Sequence, residues 1–213
     1  MTRKPIVAID VDDTVLPIFE DWMLWYAEEQ WMPVESLHHV LKNYHSGKED
    51  MMNHAAIYPK KIGWYEQQSE AHTPEDFWKS PDLYDDRSIP EETLEVLHRL
   101  HQKYDIVYVS HCYPEHENSK KKMLERSLGR NIKFISTPHK EYVDFDVIID
   151  DNVEVIERCH ARGKDTIWFM NKDILETYFK PTYYFDVYDR LMERAWFKNW
   201  HRIEKHLSTK LWL

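Results

Sequence analysis

Two carboxylates lie close together near the start of the chain, directly after an apolar run. Asp10 and Asp12 follow residues 6–9, Ile-Val-Ala-Ile, a run typical of a buried β-strand. Side chains alternate along a strand, so both carboxylates begin on the same side of the backbone. Like charges this close repel each other unless a proton or a cation lies between them. Such a pair is suited to binding Mg²⁺, which prefers oxygen ligands. The simpler alternative to a metal site is a polar turn at the end of the strand, where Asp is common.

Polar residues also end two later apolar runs. Ser110 follows residues 106–109, and the acidic pair Asp150-Asp151 follows residues 147–149. The carboxyl ends of parallel strands lie at one edge of a sheet, which is where open α/β folds bind ligands. We therefore expect these side chains to converge with the first carboxylate pair on one pocket.

This combination of residue types suits phosphoryl transfer. One carboxylate can attack phosphorus to form an aspartyl-phosphate, and a second can protonate the leaving oxygen and then activate water. Mg²⁺ neutralises charge on the phosphate, while Ser110 and Lys140, in the loop before residue 147, can stabilise its equatorial oxygens. The chain has four glycines and no glycine-rich nucleotide motif, so side chains and helix N-termini must hold any phosphate.

Alternating strands and helices must position these residues, and they predict an α/β fold with a Rossmann-like, parallel, three-layer core. The predicted strands cover residues 6–9, 106–110, 132–135, 147–150 and 166–169. The predicted helices cover residues 16–31, a segment opening at 91, residues 114–128, residues 153–162, and a tail from Tyr188 onward that carries Trp196, Phe197 and Trp200.

A long connection separates the first two predicted strands. It spans about 90 residues, and a structureless loop of that length is improbable in a compact domain. We therefore predict that residues 16–104 form a mainly helical cap. This cap is inserted into a catalytic core made of residues 1–15 and 105–213.

Composition limits the class of protein. The 213 residues carry a formal charge of −10, from 38 acidic and 28 basic side chains, which disfavours polymeric nucleic acid as a partner but permits a small phosphorylated substrate. Cys112 and Cys159 have neither zinc nor disulfide spacing, so we expect free thiols in a reducing compartment. No signal peptide and no apolar run of ~18 residues is present, so we expect a soluble cytoplasmic protein without a membrane partner. A homodimer is left open.

The chain resembles the haloacid dehalogenase-type (HAD) phosphatases in four ordered motifs. Their D-x-D-x-T motif matches Asp10-Val11-Asp12-Asp13-Thr14. Ser110 matches the hydroxyl residue that ends their second strand. Lys140 matches their lysine, and Asp150-Asp151 matches the acidic pair that follows a hydrophobic strand. The ordered set is far more specific than any one of these motifs.

A closer resemblance is to the 5′(3′)-deoxyribonucleotidases of this superfamily. Residues 76–81, Asp-Phe-Trp-Lys-Ser-Pro, are similar to their aromatic cap segment. The spacing from Lys140 to Asp150 and the tryptophan-rich residues 196–200 are also similar to theirs. Two departures are Asp13, where these enzymes usually have glycine, and His111-Cys112, where they tend to have Ser-Pro.

The resemblance implies a role for each matched residue. Asp10 is the implied nucleophile, and Asp12 is the implied general acid and base, which also gives Mg²⁺ its backbone carbonyl. Asp150 completes the implied metal site, with Asp151 and Thr14 in support.

The same resemblance implies that Ser110 and Lys140 hold the phosphate. His111 is a further candidate donor to the phosphate or to the leaving group. Lys120 is a lesser alternative for phosphate contact. It belongs to a run of three lysines that we expect to form a solvated helix face. The segment 150–152 alternatively serves only as the N-cap of the next helix.

Aromatic side chains of the predicted cap are candidates for a base-stacking pocket. Phe19 and Trp78 are the first candidates for substrate contact, and we expect the others, among them Trp22, Trp64, Tyr65 and Phe77, to pack in the core. The cap histidines, such as His38, His39, His45 and His54, do not have zinc spacing.

The sequence thus predicts a Mg²⁺-dependent phosphomonoesterase that acts on (deoxy)nucleoside 5′-monophosphates. A sugar phosphate or a nucleic-acid end is the alternative substrate, and the acidic charge disfavours the latter. A non-catalytic protein that binds a phosphorylated ligand is the third reading, disfavoured because both Asp10 and Asp12 are present.

Overall fold

A computed structural model of the chain describes residues 3–19, 21–22, 24–25, 76–169, 195–197 and 199–211. The strands within these ranges are β1 (Ile6–Ile9), β2 (Asp105–Ser110), β3 (Lys133–Ser136), β4 (Val147–Asp150), β5 (Asp165–Phe169) and β6 (Ala195–Phe197). The α-helices that can be bounded there are α1 (Asp76–Lys79), α2 (Glu91–Lys103), α3 (Glu117–Leu128), α4 (Val153–Ala161) and α5 (Trp200–Lys210), and a 3₁₀ helix covers Lys140–Tyr142.

The six strands form one parallel sheet in the order β3-β2-β1-β4-β5-β6. Alternate residues of β1 point to opposite faces: Val7 and Ile9 pack in one buried cluster, and Ala8 packs in the other. Helices α2, α3 and α5 cover the first face, and α4 covers the second. This arrangement confirms the predicted Rossmann-like, three-layer α/β core.

The order of the strands fixes where a ligand can bind. The chain leaves β1 toward β2 on one side and reaches β4 on the other, so the topological switch point lies between β1 and β4. In open α/β sheets the crevice outside the carboxyl ends at such a point receives the ligand. Asp10 and Asp150 lie at these two carboxyl ends.

The C-terminal segment differs from its prediction. We expected one helix from Tyr188 onward, but residues 195–197 form β6, which pairs with β5 through Trp168 and Trp196 among others. An apolar triplet beside an open sheet edge gains backbone hydrogen bonds to the neighbouring strand, here β5, when it is extended. The helix begins only at Trp200, because the Asn199 side chain caps it by accepting from Arg202 N at 3.0 Å.

The predicted boundary of the cap stays a prediction, since most of residues 16–104 lie outside the described residues. Helical backbone is present at residues 19, 21–22 and 24–25, within the predicted helix 16–31. Trp64, Tyr65 and the cap histidines lie outside the described residues. Helix α2, although within the predicted cap, packs against β2, α3 and α5 of the core.

The two cysteines match their prediction within the described part of the chain. Cys112 and Cys159 are both free, buried thiols. Among the helices that the structure describes, none has the length and apolar character needed to cross a membrane.

Candidate active site

Three strand ends bring the predicted residues together. Parallel pairing aligns Ile9 of β1 with Tyr108 of β2 and with Ile149 of β4, so the residues that follow lie at the same level. The Asp10 N–H continues the ladder by donating to the Ile149 carbonyl at 2.9 Å. The side chains that leave these strand ends line a cavity of about 360 Å³.

A cluster of three carboxylates lies at the switch point. Asp10, Asp150 and Asp151 each offer an oxygen, and the three oxygens lie within 4.8 Å of one another. Asp10 and Asp150 are buried, with 6% and 0% of their surface exposed. Hard oxygen donors at this spacing fit Mg²⁺, so the residues present suit the predicted metal.

Lys140 lies against the cluster. Its Nζ donates to Asp10 Oδ1 at 2.5 Å and to Asp150 Oδ2 at 2.8 Å, and its side chain is 6% exposed. Burial by itself would lower the pKa of this lysine, but the charges of Asp10 and Asp150 outweigh that effect and raise it well above its ordinary value. Lys140 is therefore a permanent cation that offsets part of the negative charge.

The cluster still carries more negative charge than one lysine can offset. Burial, with the charge of Asp10 added, raises the pKa of Asp150 to about 6 even though Lys140 acts in the opposite direction. Burial and the charges of Asp10 and Asp150 raise the pKa of Asp151 well above its ordinary value. Each ionised carboxylate there is destabilised unless a cation joins it.

We expect Mg²⁺ to raise the unfolding temperature more at about pH 8 than at about pH 5.5. Below pH 6, a proton occupies Asp150 in the metal-free fold, and the raised pKa of Asp151 favours a proton there as well, so Mg²⁺ must displace protons to bind. A concentration of about 100 Kd stabilises a fold by about 2.7 kcal/mol, or roughly 5–10 °C for a chain of this size. Thermal unfolding with and without Mg²⁺ at both pH values measures the difference.

The larger magnesium effect at high pH follows from the raised pKa of Asp150. Between its unfolded value of 3.8 and its folded value of about 6, the metal-free fold binds more protons than the unfolded chain. This group's contribution to stability therefore decreases as pH rises through that window, and Mg²⁺ counters the decrease. An equal magnesium shift at both pH values contradicts the site, as does an undiminished shift in Asp150→Asn.

Asp12 has different surroundings from Asp10. Tyr84 Oη donates to Asp12 Oδ1 at 2.9 Å, and Lys120 Nζ donates to Asp12 Oδ2 at 2.6 Å. Lys120 Nζ also donates to Ser110 Oγ at 2.9 Å. The Asp12 carboxylate is thus bonded to a phenol and an ammonium, apart from the three-carboxylate cluster.

Lys120 corrects a prediction. We expected a solvated helix face for the lysine run, but Lys120 is 0% exposed while Lys121 and Lys122 are exposed. Lys120 shares its side of α3 with Met123 and Leu124, at the i+3 and i+4 positions of a helix. That spacing is the signal that places it on the buried face. Burial opposes its charge, but Asp12 more than compensates and raises its pKa.

Supporting contacts fix the loop that carries the two aspartates. Thr14 Oγ1 donates to Asp151 Oδ1 at 3.2 Å, and Trp200 Nε1 of α5 donates to the Thr14 carbonyl at 3.2 Å. Trp168 Nε1 donates to the Asp151 carbonyl at 2.9 Å. The C-terminal helix and β5 therefore position residues on both sides of the switch point.

The capping role near Asp150 belongs to Asn152. Its side chain accepts from the backbone of Glu154 at 2.9 Å and of Val155 at 3.3 Å, at the start of α4. Asp150 also accepts from the Asn152 N–H at 2.9 Å. The alternative that this segment only caps the next helix therefore holds for Asn152, whereas Asp150 and Asp151 belong to the carboxylate cluster.

Asp13 has a left-handed backbone, with φ of 55°. This is the position where the nucleotidases usually have glycine, which adopts such a φ without strain. Asp13 Oδ1 accepts from the backbone N–H groups of Ile18 and Phe19, both at 3.1 Å. Burial raises the pKa of this carboxyl to about 7. Asp13 therefore joins the loop that carries Asp10 and Asp12 to the residues that lead into the predicted cap.

We expect the stability of Asp13 variants to increase in the order Ala, Gly, Asn. Alanine loses the two hydrogen bonds that Asp13 Oδ1 accepts, at a cost of about 0.5–1.5 kcal/mol each, and its left-handed backbone costs about 1–2 kcal/mol more. Glycine loses only the two hydrogen bonds, and asparagine keeps both the acceptor and the backbone preference. Urea unfolding of the three variants gives the order. Equal stability of Asp13→Ala and Asp13→Gly contradicts the strain argument.

Two aromatic side chains are among the residues that line the cavity. Phe19 and Trp78 line it and are half-buried, as is expected of side chains available to a substrate. Trp22 and Phe77 are buried, and Trp22 stacks on Trp78 with ring centroids 6.5 Å apart. His111 is exposed and also lines the cavity.

Helix α4 also contributes side chains to the lining of the cavity. Glu154, Val155 and Arg158 line it there, and no motif in the sequence indicated them. Arg158 Nε donates to Glu141 Oε2 at 3.3 Å, so carboxylates of the protein already engage this guanidinium.

The fold is that of the HAD-superfamily hydrolases. The putative HAD hydrolase YfnB from Bacillus subtilis, solved with magnesium, has a TM-score of 0.57 at 17% identity, over 97% of this chain and 99% of that one. A HAD-superfamily hydrolase from Ehrlichia chaffeensis has a TM-score of 0.53 at 12% identity, over 99% and 100%. The L-2-haloacid dehalogenase RSc1362 has a TM-score of 0.57 at 13% identity, over 97% and 100%.

No protein-family model and no curated protein sequence matches the chain. The similarity to solved structures at these identities establishes the fold. The chemistry must be argued from the side chains of this site.

Proposed function

We propose that the protein is a Mg²⁺-dependent phosphomonoesterase that acts through an aspartyl-phosphate at Asp10. The observation that carries this proposal is the separation of the two aspartates. Asp10 belongs to the buried three-carboxylate cluster, while Asp12, two residues later, bonds to Tyr84 and Lys120. A nucleophile beside a cation site and a separate proton donor are the two groups that this reaction needs.

In the proposed first step, an Asp10 oxygen attacks phosphorus in line with the leaving oxygen. The phosphorus–oxygen bond to the leaving group breaks, and Asp12 supplies the proton that the leaving oxygen takes up. Lys140 holds Asp10 in place through its 2.5 Å ion pair. In the second step Asp12 takes a proton from water, and the water oxygen displaces Asp10 from phosphorus to release phosphate.

Positive charge near the phosphoryl group comes from two sides. Lys120 and the Ser110 hydroxyl, 2.9 Å apart, can bind its oxygens on the β2 side, and Lys140 can do so on the β4 side. Mg²⁺, when held by Asp10, Asp150 and the backbone carbonyl of Asp12, would neutralise charge on the phosphoryl oxygens, with Asp151 in support. His111 is a further donor at the cavity mouth.

We propose (deoxy)nucleoside 5′-monophosphates as the substrate class. The cavity volume of about 360 Å³ falls within the range of small-molecule sites. Phe19 and Trp78 in its lining offer flat apolar faces to a base, and a stacking contact of this kind is worth about 1–3 kcal/mol. A sugar phosphate remains the competing substrate, because it would need only the polar part of the cavity.

Dehalogenation is a second candidate, favoured by the similarity in fold to the L-2-haloacid dehalogenase RSc1362. The same nucleophile can displace a halide from carbon. A halide leaves without a proton, however, so dehalogenation gives Asp12 and its two donors no role. The contacts of Asp12 therefore favour phosphate monoesters.

Substrate assays with and without Mg²⁺ test the proposal. We expect Mg²⁺-dependent hydrolysis of p-nitrophenyl phosphate, faster turnover of nucleoside monophosphates than of sugar phosphates, and no release of chloride from 2-chloropropionate. Faster turnover of sugar phosphates contradicts the nucleotide assignment alone. Chloride release without phosphatase activity contradicts the whole proposal.

A further inference from the structure

The turn formed by residues 80–87, between α1 and α2, is bonded to α3 of the core. Arg126 Nη2 donates to the carbonyls of Tyr84, Asp85 and Arg87, at 3.3, 2.7 and 2.9 Å. Ser119 Oγ accepts from Tyr84 N at 3.0 Å and donates to Asp85 Oδ1 at 2.7 Å. Hydrogen bonds from one helix, α3, therefore hold the backbone at Tyr84 and at the residues that follow it.

The Tyr84 side chain is enclosed as well as its backbone. It is 0% exposed; the Lys120 ammonium lies 4.9 Å from its ring centroid, and the centroid of the His116 ring lies 5.3 Å away. The ordinary pKa of a tyrosine phenol is about 10, so the hydroxyl is protonated at neutral pH. The phenol therefore keeps its proton and acts toward Asp12 only as a hydrogen-bond donor.

The two donors to Asp12 fix the orientation of its carboxylate. Tyr84 occupies one lone-pair direction of Oδ1, and Lys120 occupies one of Oδ2. A carboxylate oxygen has a second lone-pair direction, so a proton for the leaving oxygen still has a place to reside. Without Tyr84, the one remaining hydrogen bond, from Lys120, would leave the Asp12 carboxylate free to rotate.

We propose that Tyr84 is a positioning residue that aims Asp12 at the leaving oxygen. The inference rests on the proposed phosphatase function and goes beyond it, because it makes a residue from outside the four motifs necessary for leaving-group protonation. Tyr84 neither gains nor loses a proton in the reaction. The proton goes from Asp12 to the leaving oxygen, and Tyr84 maintains the direction of that transfer.

The test uses Tyr84→Phe, which removes only the hydroxyl, and Tyr108→Phe as its matched control. Tyr108 is equally buried, and its hydroxyl bonds to His101 at 3.1 Å, away from the carboxylates. Hydrolysis rates are measured for p-nitrophenyl phosphate, phenyl phosphate and ring-substituted relatives of intermediate leaving-group basicity. The substrates have similar shape, and they differ mainly in how much they need a proton from the enzyme.

We expect Tyr84→Phe to lower kcat/KM for phenyl phosphate about tenfold or more, because a hydrogen bond to a charged group contributes about that factor. This ratio reports the steps up to departure of the leaving group, so the later proton transfer from water to Asp12, which all the esters share, does not enter it. The loss in kcat/KM for p-nitrophenyl phosphate should be less than about twofold, since its anion leaves readily. Tyr108→Phe should show the wild-type dependence on the leaving group. If Tyr84 had only a structural role, its loss would lower the rates for all the esters by the same factor.

Equal losses across the series, or no loss, overturn the assignment of Tyr84 while leaving the phosphatase proposal standing. A wild-type protein that hydrolyses none of these esters with Mg²⁺ overturns both. A more negative slope of rate against leaving-group basicity in Tyr84→Phe than in Tyr108→Phe supports the proposal.

Discussion

Asp10→Asn should abolish hydrolysis of p-nitrophenyl phosphate, with a loss of at least about 10⁴-fold in kcat. An amide is not a nucleophile toward phosphorus, and Asp12, the carboxylate two residues later, is bonded to Tyr84 and Lys120 instead. Asparagine keeps the shape of the side chain, and Lys140 retains its 2.8 Å ion pair with Asp150. Initial rates with Mg²⁺, measured alongside the unfolding temperature, separate lost chemistry from lost structure.

The matched control for this prediction is Asp144→Asn. Asp144 is exposed and precedes β4, and it does not line the cavity. We expect this variant to keep wild-type activity. Retention of activity in Asp10→Asn, in a sample free of deamidated protein, would show that another residue attacks phosphorus.

The second large effect is expected from Lys140→Met. Its Nζ is the buried cation shared by Asp10 and Asp150, so methionine leaves both carboxylates without that partner. Removing one partner of a buried ion pair costs about 3–5 kcal/mol, which corresponds to roughly 6–20 °C in unfolding temperature. Activity should fall as well, because the nucleophile loses the contact that holds it in place.

The stability loss in Lys140→Met should depend on pH and on Mg²⁺. The raised pKa of Asp150 rises further without the lysine, so protonation relieves the repulsion at about pH 5.5 but not at about pH 8. Mg²⁺ should restore part of the stability at the higher pH. Lys121→Met is the control, since that lysine is 46% exposed and forms only a 4.0 Å pair with Glu125. Equal losses in the two variants contradict the account.

The core could be predicted from the sequence because its signals are local. Apolar runs of three or four residues, each followed by a polar residue, predict the correct carboxyl ends of β1, β2 and β4. Parallel topology then places the residues after these strands at one edge, which is why Asp10, Ser110 and Asp151 line one cavity and Asp150 joins Asp10 in the carboxylate cluster. Lys140 could be assigned only through its spacing to Asp150, since a loop lysine by itself carries no signal.

Other parts of the site depend on contacts that no local pattern encodes. Tyr84 reaches Asp12 across 72 positions of sequence, and Arg126 and Ser119 hold it there from α3. Lys120 appeared as part of an exposed basic run, and only its register with Met123 shows the buried side.

Strand β6 illustrates the same limit. Residues 195–197 are too short a run to be distinguished from the start of the following helix, and pairing with β5 decides their conformation. Asp13 is the reverse case. Its position was noted as a departure from glycine, and the φ of 55° shows what that position requires.

The central claim is that Asp10 becomes phosphorylated during turnover. The most direct measurement is mass spectrometry of the protein after reaction with p-nitrophenyl phosphate and Mg²⁺, stopped with acid within the first turnovers. We predict one added phosphoryl group, on the peptide that contains Asp10, which is lost on treatment with hydroxylamine and is absent in Asp10→Asn. Turnover with no phosphorylated protein at any time after mixing, or with the phosphoryl group on a different residue, would contradict the account.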